Sequence, residues 1–202
     1  FSDRLNLIEE SDIDFPDHGP VRNDFREAYA TWEPTEGAYV DLGRVNLRNG
    51  IALGYNPTDF FKAQTGIDDL SLDPSVIRED RLGTWGVRGQ RIWDRGVGSF
   101  DYASELDSPS VILPLRRPGL GPMFSRTNGG DRQLLTFNYE LADLSPQALI
   151  YRDGTGTKVG LNFSHAVGNS IIAYAEWAGG RERDLIGQAI AYGKTTGTLP
   201  AF

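Results

Sequence analysis

The chain has 202 residues, no cysteine and a formal net charge of −8. The absence of cysteine excludes disulfides, zinc–thiolate sites and cysteine nucleophiles, and the acidic balance argues against a nucleic-acid partner, because phosphate binding needs a basic surface. No apolar run approaches the roughly 18 residues that a membrane helix needs, so a membrane-spanning interpretation requires a closed β-barrel.

Alternation of apolar and polar residues with period 2 predicts about nine strands. In chain order they cover 3–11, 22–33, 38–49, 81–93, 99–106, 133–141, 147–152, 158–164 and 170–177. The clearest is 133–141, where Leu135 and Phe137 share one face while Thr136 and Asn138 share the other. Most of these strands have the roughly 9–11 residues that a tilted strand needs to cross a bilayer.

The connections between the predicted strands differ in length at the two ends. One set is rich in Gly, Pro, Asp and Asn and predicts tight turns at 34–37, 94–96, 142–146 and 166–169. The other set holds the segments 12–21, 50–80 and 108–131, the short turn 153–156, and the residues after Gly179. Tight turns at one end and long loops at the other are typical of outer-membrane barrels.

The sequence therefore predicts an all-β fold, an antiparallel up-and-down transmembrane β-barrel with periplasmic turns and extracellular loops. We expect residues 1–202 to form a single domain that is a section of a larger barrel, incomplete at both ends. A short amphipathic helix is predicted over 181–193, on the loop side. A soluble β-sandwich or lipocalin-like barrel is the alternative, since its strands also alternate.

Several segments resemble proteobacterial porin-type outer-membrane barrels, a loosely characterised group. They are FREAY (25–29), WEP (32–34), DLGRVNLRNG (41–50), GYNPTDFF (54–61), REDRLG (78–83) and AYAEW (173–177). The resemblance spans roughly residues 20–200. It implies an outer-membrane location and a role in solute passage, and it supplies neither a substrate nor catalytic residues.

Polar residues on one face of the alternating strands are the candidates for lining a pore. Charged rings inside a pore select solutes by sign, and the same groups cost several kcal/mol when they face lipid. The candidates are Glu27, Arg44, Arg48, Arg88, Gln90, Asp101, Asn138, Glu140, Lys158, Asn162 and Glu176. The alternative is that these charges pair across neighbouring strands and stiffen the interior.

The four tryptophans are predicted to lie at the membrane interfaces, where amphipathic rings suit the headgroup level. Trp32, Trp93 and Trp177 fall near predicted strand ends and Trp85 lies nearer a loop, although core aromatics of a sandwich would also fit. The acidic residues Asp12, Asp14 and Asp17 form a weak candidate for a Ca²⁺ loop, against a solvated acidic loop.

No phosphate loop, dinucleotide fingerprint or metalloprotease motif occurs, and Ser164 beside His165 has no orienting acid nearby in sequence. We therefore expect no enzymatic activity, no catalytic residue and no cofactor. The expected function is an outer-membrane channel for small hydrophilic solutes, in contact with the lipid bilayer and lipopolysaccharide. The alternatives are a sheath barrel that holds a protein partner in the outer membrane, or a soluble β-sandwich or barrel that acts as a binding module. The expected partners also include a protein partner or further copies of the chain in a homo-oligomer.

Overall fold

The computed structural model describes residues 5–14, 22–52, 56–62, 65, 81–106, 124–142, 144–168, 170–181, 187 and 190. These residues form nine strands and one short helix, α1 (Phe124–Thr127). The strands are β1 (Leu5–Asp14), β2 (Arg22–Thr35), β3 (Ala38–Val45), β4 (Thr84–Trp93), β5 (Gly96–Ala103), β6 (Arg132–Tyr139), β7 (Leu144–Asp153), β8 (Thr157–Val167) and β9 (Ile171–Arg181).

All nine strands belong to one antiparallel sheet in which each strand pairs with its neighbours in sequence. This order confirms the predicted all-β, up-and-down arrangement and the predicted number of strands. Within the described residues, β1 and β9 each pair on one side only, so the sheet is open and not a closed barrel.

The two ends of the sheet differ in the way the sequence predicts. Two-residue turns connect β2 to β3 and β4 to β5, and short turns connect β6 to β7 and β8 to β9. At the opposite end, residues 46–83 and 104–131 form the long connections, and 154–156 form a short one. We call these the turn end and the loop end. At the turn end, Gly37 adopts φ +73°, and a Cβ there would lie 2.9 Å from the Ile92 carbonyl oxygen, so glycine is required.

The two faces of the sheet differ in polarity, and the apolar face is the more exposed one. On β6, Leu135 and Phe137 are 49% and 50% exposed, whereas Thr136 between them is 4% exposed. Register extends this division across the sheet: Leu135 pairs with Phe100 and Ile150, and Thr136 pairs with Ser99 and Leu149. We call the face of Leu135 the outer face and the face of Thr136 the inner face.

The sheet curls around its inner face. The segment after β3 contacts β9, because the amides of Ile51 and Ala52 donate to the Glu176 carboxylate. In a flat sheet, six strand spacings would separate β3 from β9 by about 29 Å. The six residues from Val45 to Ile51 span at most about 21 Å. The contact therefore requires a curved sheet whose concave side is the inner face.

Residues 46–52, 56–62 and 65, which we call the inner segment, pack on this concave side. Phe61 is 1% exposed and sits edge-on to the Tyr151 ring at 5.8 Å, while Phe60 stacks on the same ring at 4.9 Å. The inner-facing Leu134 and Leu149 are fully buried in the same apolar cluster. The inner face toward the loop end is thus a packed interior rather than a wholly hydrated wall.

Some strand limits differ from the sequence prediction. The structure ends β3 at Val45 rather than at residue 49, and it extends β1 to Asp14 and β9 to Arg181. Of the predicted helix over 181–193, Arg181 therefore belongs to a strand. Gly187 and Ile190 are helical, and the remaining positions lie outside the described residues. Interstrand hydrogen bonds, which a single-sequence pattern does not contain, set these limits.

Candidate functional site

Most of the predicted pore-lining residues lie on the inner face. The pairings Arg88–Asp101 and Asn162–Glu176 bring four of them together across neighbouring strands. Register puts four others on the same face as Thr136 or Asp101: Glu27, Gln90, Asn138 and Lys158. Eight of the eleven candidates therefore share one concave surface.

The other three candidates lie outside this surface. Arg44 lies three residues from Asp41 and pairs with Trp85, so its register gives it the outer face. It is 1% exposed and donates through Nε to the Gly83 carbonyl at 2.9 Å. Arg48 lies beyond the end of β3, and Glu140 lies in the turn after β6, where both are exposed.

A central polar patch crosses β2 to β6 on the inner face; it consists of Thr31, Asp41, Arg88, Ser99, Asp101 and Thr136. Thr31 donates to Asp41 at 2.5 Å, and the Ser99 and Thr136 hydroxyls are 2.6 Å apart. The Arg88 Nε lies 3.3 Å from an Asp101 carboxylate oxygen. One ion pair, Arg88–Asp101, thus joins β4 and β5, while the Asp41 carboxylate accepts a hydrogen bond from Thr31. Asp41, Ser99, Asp101 and Thr136 are buried, and Arg88 is a partly exposed charge of the patch.

Glu176 anchors the inner segment to β9. Its carboxylate accepts hydrogen bonds from the amides of Ile51 and Ala52, both at 2.5 Å, and from the Thr58 hydroxyl at 3.2 Å. Close packing supports this contact, because a Cβ added at Gly160 would lie 2.9 Å from Thr58 Cγ2. One carboxylate thus satisfies two consecutive backbone donors and fixes where the segment crosses the inner face of the sheet.

A buried ion pair links the inner segment to the residues just before β4. The Arg81 Nη1 lies 2.8 Å from the Asp59 Oδ2, and both side chains are at most 4% exposed. Arg81 also donates to the Leu47 carbonyl at 3.3 Å. Arg81 lies three residues before β4, so this pair ties the end of the long β3–β4 connection to the inner segment near its beginning.

An open cavity of about 750 Å³ lies between the inner segment and β7–β9 at the loop end. Phe60 and Lys62 approach it from the segment, and Tyr151 and Lys158 approach it from the strands. The predicted residue Lys158 is therefore part of a concave site.

The tryptophans lie on the outer face by register, as an interfacial role requires. Trp32, Trp93 and Trp177 are 48%, 37% and 56% exposed, and the Trp93 ring lies 5.5 Å from the Phe137 ring. Trp85 and Trp93 are at opposite ends of β4. Trp177 lies four residues before the end of β9, at Arg181, and Trp32 lies three residues before the end of β2.

The weak Ca²⁺ candidate is not supported as a loop. Asp12 and Asp14 belong to β1, where they pair with Asp24 and Arg22, and Asp17 lies outside the described residues. In the part of the chain that the structure describes, no three acidic or histidine side chains gather as a metal site would require. Ser164 and His165, as consecutive strand residues, point to opposite faces and cannot form a dyad.

Sequence reasoning missed several members of the inner face. The pore-lining candidates omit Asp41, Ser99 and Thr136, although alternation already places Thr136 on the polar face with Asn138, and register gives all three the inner face. No sequence signal marks Asp59 or Arg81, because their pairing depends on how a long connection folds back onto the sheet.

Comparison with protein-family models, curated proteins and solved structures gave no match to this chain. Among the described residues, none of the helical positions belongs to a helix long and apolar enough to cross a membrane.

Replacing Glu176 with glutamine tests the anchor. The neutral amide loses the charge-assisted part of its hydrogen bonds to Ile51 and Ala52, each worth about 1.5–3 kcal/mol. We expect these two amides to exchange with deuterium at least about tenfold faster, because 1.4 kcal/mol corresponds to a factor of ten. Hydrogen exchange measured in detergent micelles checks this.

The matched control for that experiment is Glu140→Gln, which makes the same chemical change in an exposed turn. Its exchange at Ile51 and Ala52 should equal that of the unmodified protein. Equal exchange in all three proteins would show that the Glu176 carboxylate is not the anchor.

Proposed function

We propose that this chain forms part of the wall of a porin-like outer-membrane channel. Small hydrophilic solutes diffuse through this channel and are not chemically changed. The observation that carries the proposal is the inverted polarity of the sheet. Apolar side chains predominate on the exposed convex face, and the concave face carries the polar patch together with Asn162 and Glu176, beside the apolar cluster under the inner segment. A soluble sheet would bury the apolar face instead, since exposing it to water is unfavourable.

The dimensions of the outer face suit a bilayer. The outward residues of β8 run from Val159 through Leu161 and Phe163 to Val167, with His165 the only polar one. This run is about 27 Å long at about 3.4 Å per residue. A strand tilted by about 40° then covers about 20 Å of an apolar band that is about 25 Å tall.

The proposed channel needs a wall that continues beyond the two unpaired edges at β1 and β9. In the proposal, further strands complete this wall, so that the polar inner face borders a hydrated lumen. The inner segment narrows this lumen, because Glu176 and the Arg81–Asp59 pair hold it against the concave side. The Arg88 guanidinium, whose side chain is 30% exposed, then acts on passing solutes at short range.

Cysteine labelling tests the proposal directly, because the chain has no native cysteine. Gly89→Cys and Gln90→Cys place one thiol on each face at adjacent positions of β4, and a Cβ at Gly89 meets no atom within 4 Å. We expect a cationic methanethiosulfonate reagent to modify Gln90→Cys in a planar bilayer and to lower its conductance stepwise. The thiol of Gly89→Cys should stay unmodified in hydrocarbon.

The same recordings separate the alternatives. A protein that never conducts, or whose two thiols react equally fast, contradicts the channel. Conductance that begins only after a bound protein is removed would favour the sheath barrel. The inner segment argues for the channel, because it already occupies part of the concave surface that a protein partner would fill.

A further inference from the structure

The cavity at the loop end of the inner face has the size of a small-molecule site. Its volume of about 750 Å³ lies within the range of about 300–1,000 Å³ that such sites show. Phe60 and Lys62 of the inner segment form one side, and Tyr151, Lys158 and Gly179 form the other. Any solute that enters the proposed channel from the loop end passes this cavity.

The two carboxylates in the cavity wall already have partners within the protein. Asp59 is paired with Arg81 at 2.8 Å. Asp153 accepts hydrogen bonds through one oxygen from the amide and hydroxyl of Thr155 and from the amide of Gly156. The Arg81 guanidinium therefore compensates the charge of Asp59, whereas Asp153 remains a hydrogen-bonded carboxylate at the β7–β8 turn. The two lysines in the wall outnumber this second carboxylate.

The two ammonium groups in the wall favour an anion. Lys62 and Lys158 come from different elements and line the same space. An ammonium carries three N–H donors, so each lysine can hold a ligand beside its partner within the protein. A carboxylate between them would accept charge-assisted hydrogen bonds, which are stronger than neutral ones.

The rest of the wall favours a short apolar body beside that charge. The half-buried Phe60 ring stacks on Tyr151 with an angle of 13° between the planes. Ala178, Gly179 and Gly180 line the opposite side without large side chains. A flat apolar group fits between an aromatic ring and such a surface, because burying its area is favourable.

We propose that this cavity binds small organic carboxylates, with the carboxylate at Lys62 and Lys158 and the apolar part against Phe60. The role of the site, as the first binding position in solute passage, rests on the proposed channel function. The binding itself does not, and it can be measured in detergent solution.

The experiment measures equilibrium binding of benzoate and of its neutral analogue benzamide to the protein in micelles, next to bilayer conductance. We expect benzoate to bind at least about tenfold more tightly than benzamide. Lys62→Gln and Lys158→Gln should each weaken benzoate binding by about tenfold, the effect of losing one charge-assisted hydrogen bond. Lys158→Arg should retain most of the affinity.

Arg152→Gln is the matched control. Arg152 is exposed at the same end of the sheet as Lys158, but it pairs with Thr157 and lies on the outer face. Its removal should leave benzoate binding unchanged. Heat-modifiable migration in detergent gels verifies that each variant is folded.

Two results overturn the inference whether or not the protein conducts. They are equal affinity for benzoate and benzamide, and unchanged benzoate affinity in both glutamine variants. Lysine-dependent benzoate binding in a protein that never conducts sustains the site and contradicts the channel.

Discussion

Leu135→Arg is expected to destabilise the protein in a phospholipid bilayer by about 2–4 kcal/mol, the cost of an arginine on the lipid face near the midplane. Leu135 is 49% exposed on the outer face, near the middle of β6. Its cross-strand neighbours are the exposed Phe100 and Ile150. The measurement is urea unfolding from lipid vesicles, followed by tryptophan fluorescence and gel mobility.

The same substitution would have little effect if the outer face met water. Surface substitutions in soluble proteins usually change stability by about 0.5 kcal/mol or less. Asn138→Arg is the matched control, because it introduces the same group on the same strand but on the inner face. An Asn138→Arg cost that equals or exceeds the cost of Leu135→Arg would contradict a lipid-facing outer surface.

Removing one partner of the buried Arg81–Asp59 pair should have a still larger effect. Asp59→Leu leaves the Arg81 guanidinium, which is 4% exposed, without its counter-ion, and such a change costs about 3–5 kcal/mol. The loss should also release the inner segment, whose Leu47 carbonyl accepts a hydrogen bond from Arg81. Urea unfolding in micelles measures the free energy of unfolding.

A double variant separates the charge effect from packing. Asp59→Leu with Arg81→Met replaces the ion pair by apolar side chains, and such replacements are often neutral or stabilising. We expect the double variant to regain most of the stability that Asp59→Leu loses. Additive losses in the double variant would mean that the two charges do not depend on each other.

The two variants also bear on the channel. If the inner segment narrows the lumen, Asp59→Leu should raise the mean conductance and its fluctuations in bilayer recordings, and the double variant should restore values near those of the unmodified protein. Conductance that is the same in all three proteins would show that the segment does not lie in the solute path.

The faces of the strands could be predicted from the sequence because side chains in a strand alternate with a period of exactly two. That rule assigned Arg88, Gln90 and Asp101 to one surface, and register confirms it. It failed for Arg48 and Glu140, because hydrogen bonding between strands ends the sheet before either residue. Arg44 is an odd number of residues from Asp41, so alternation gives it the outer face.

By itself, the sequence determined the all-β class, the number of strands, the difference between the turn end and the loop end, and the polarity of each face. These properties are local, since they depend on alternation and on turn residues within a few positions of one another. The tertiary structure decided the curvature of the sheet, the anchoring of the inner segment by Glu176 and Arg81, and the cavity at Lys158. Those depend on contacts between residues far apart in the chain, and no local pattern encodes them.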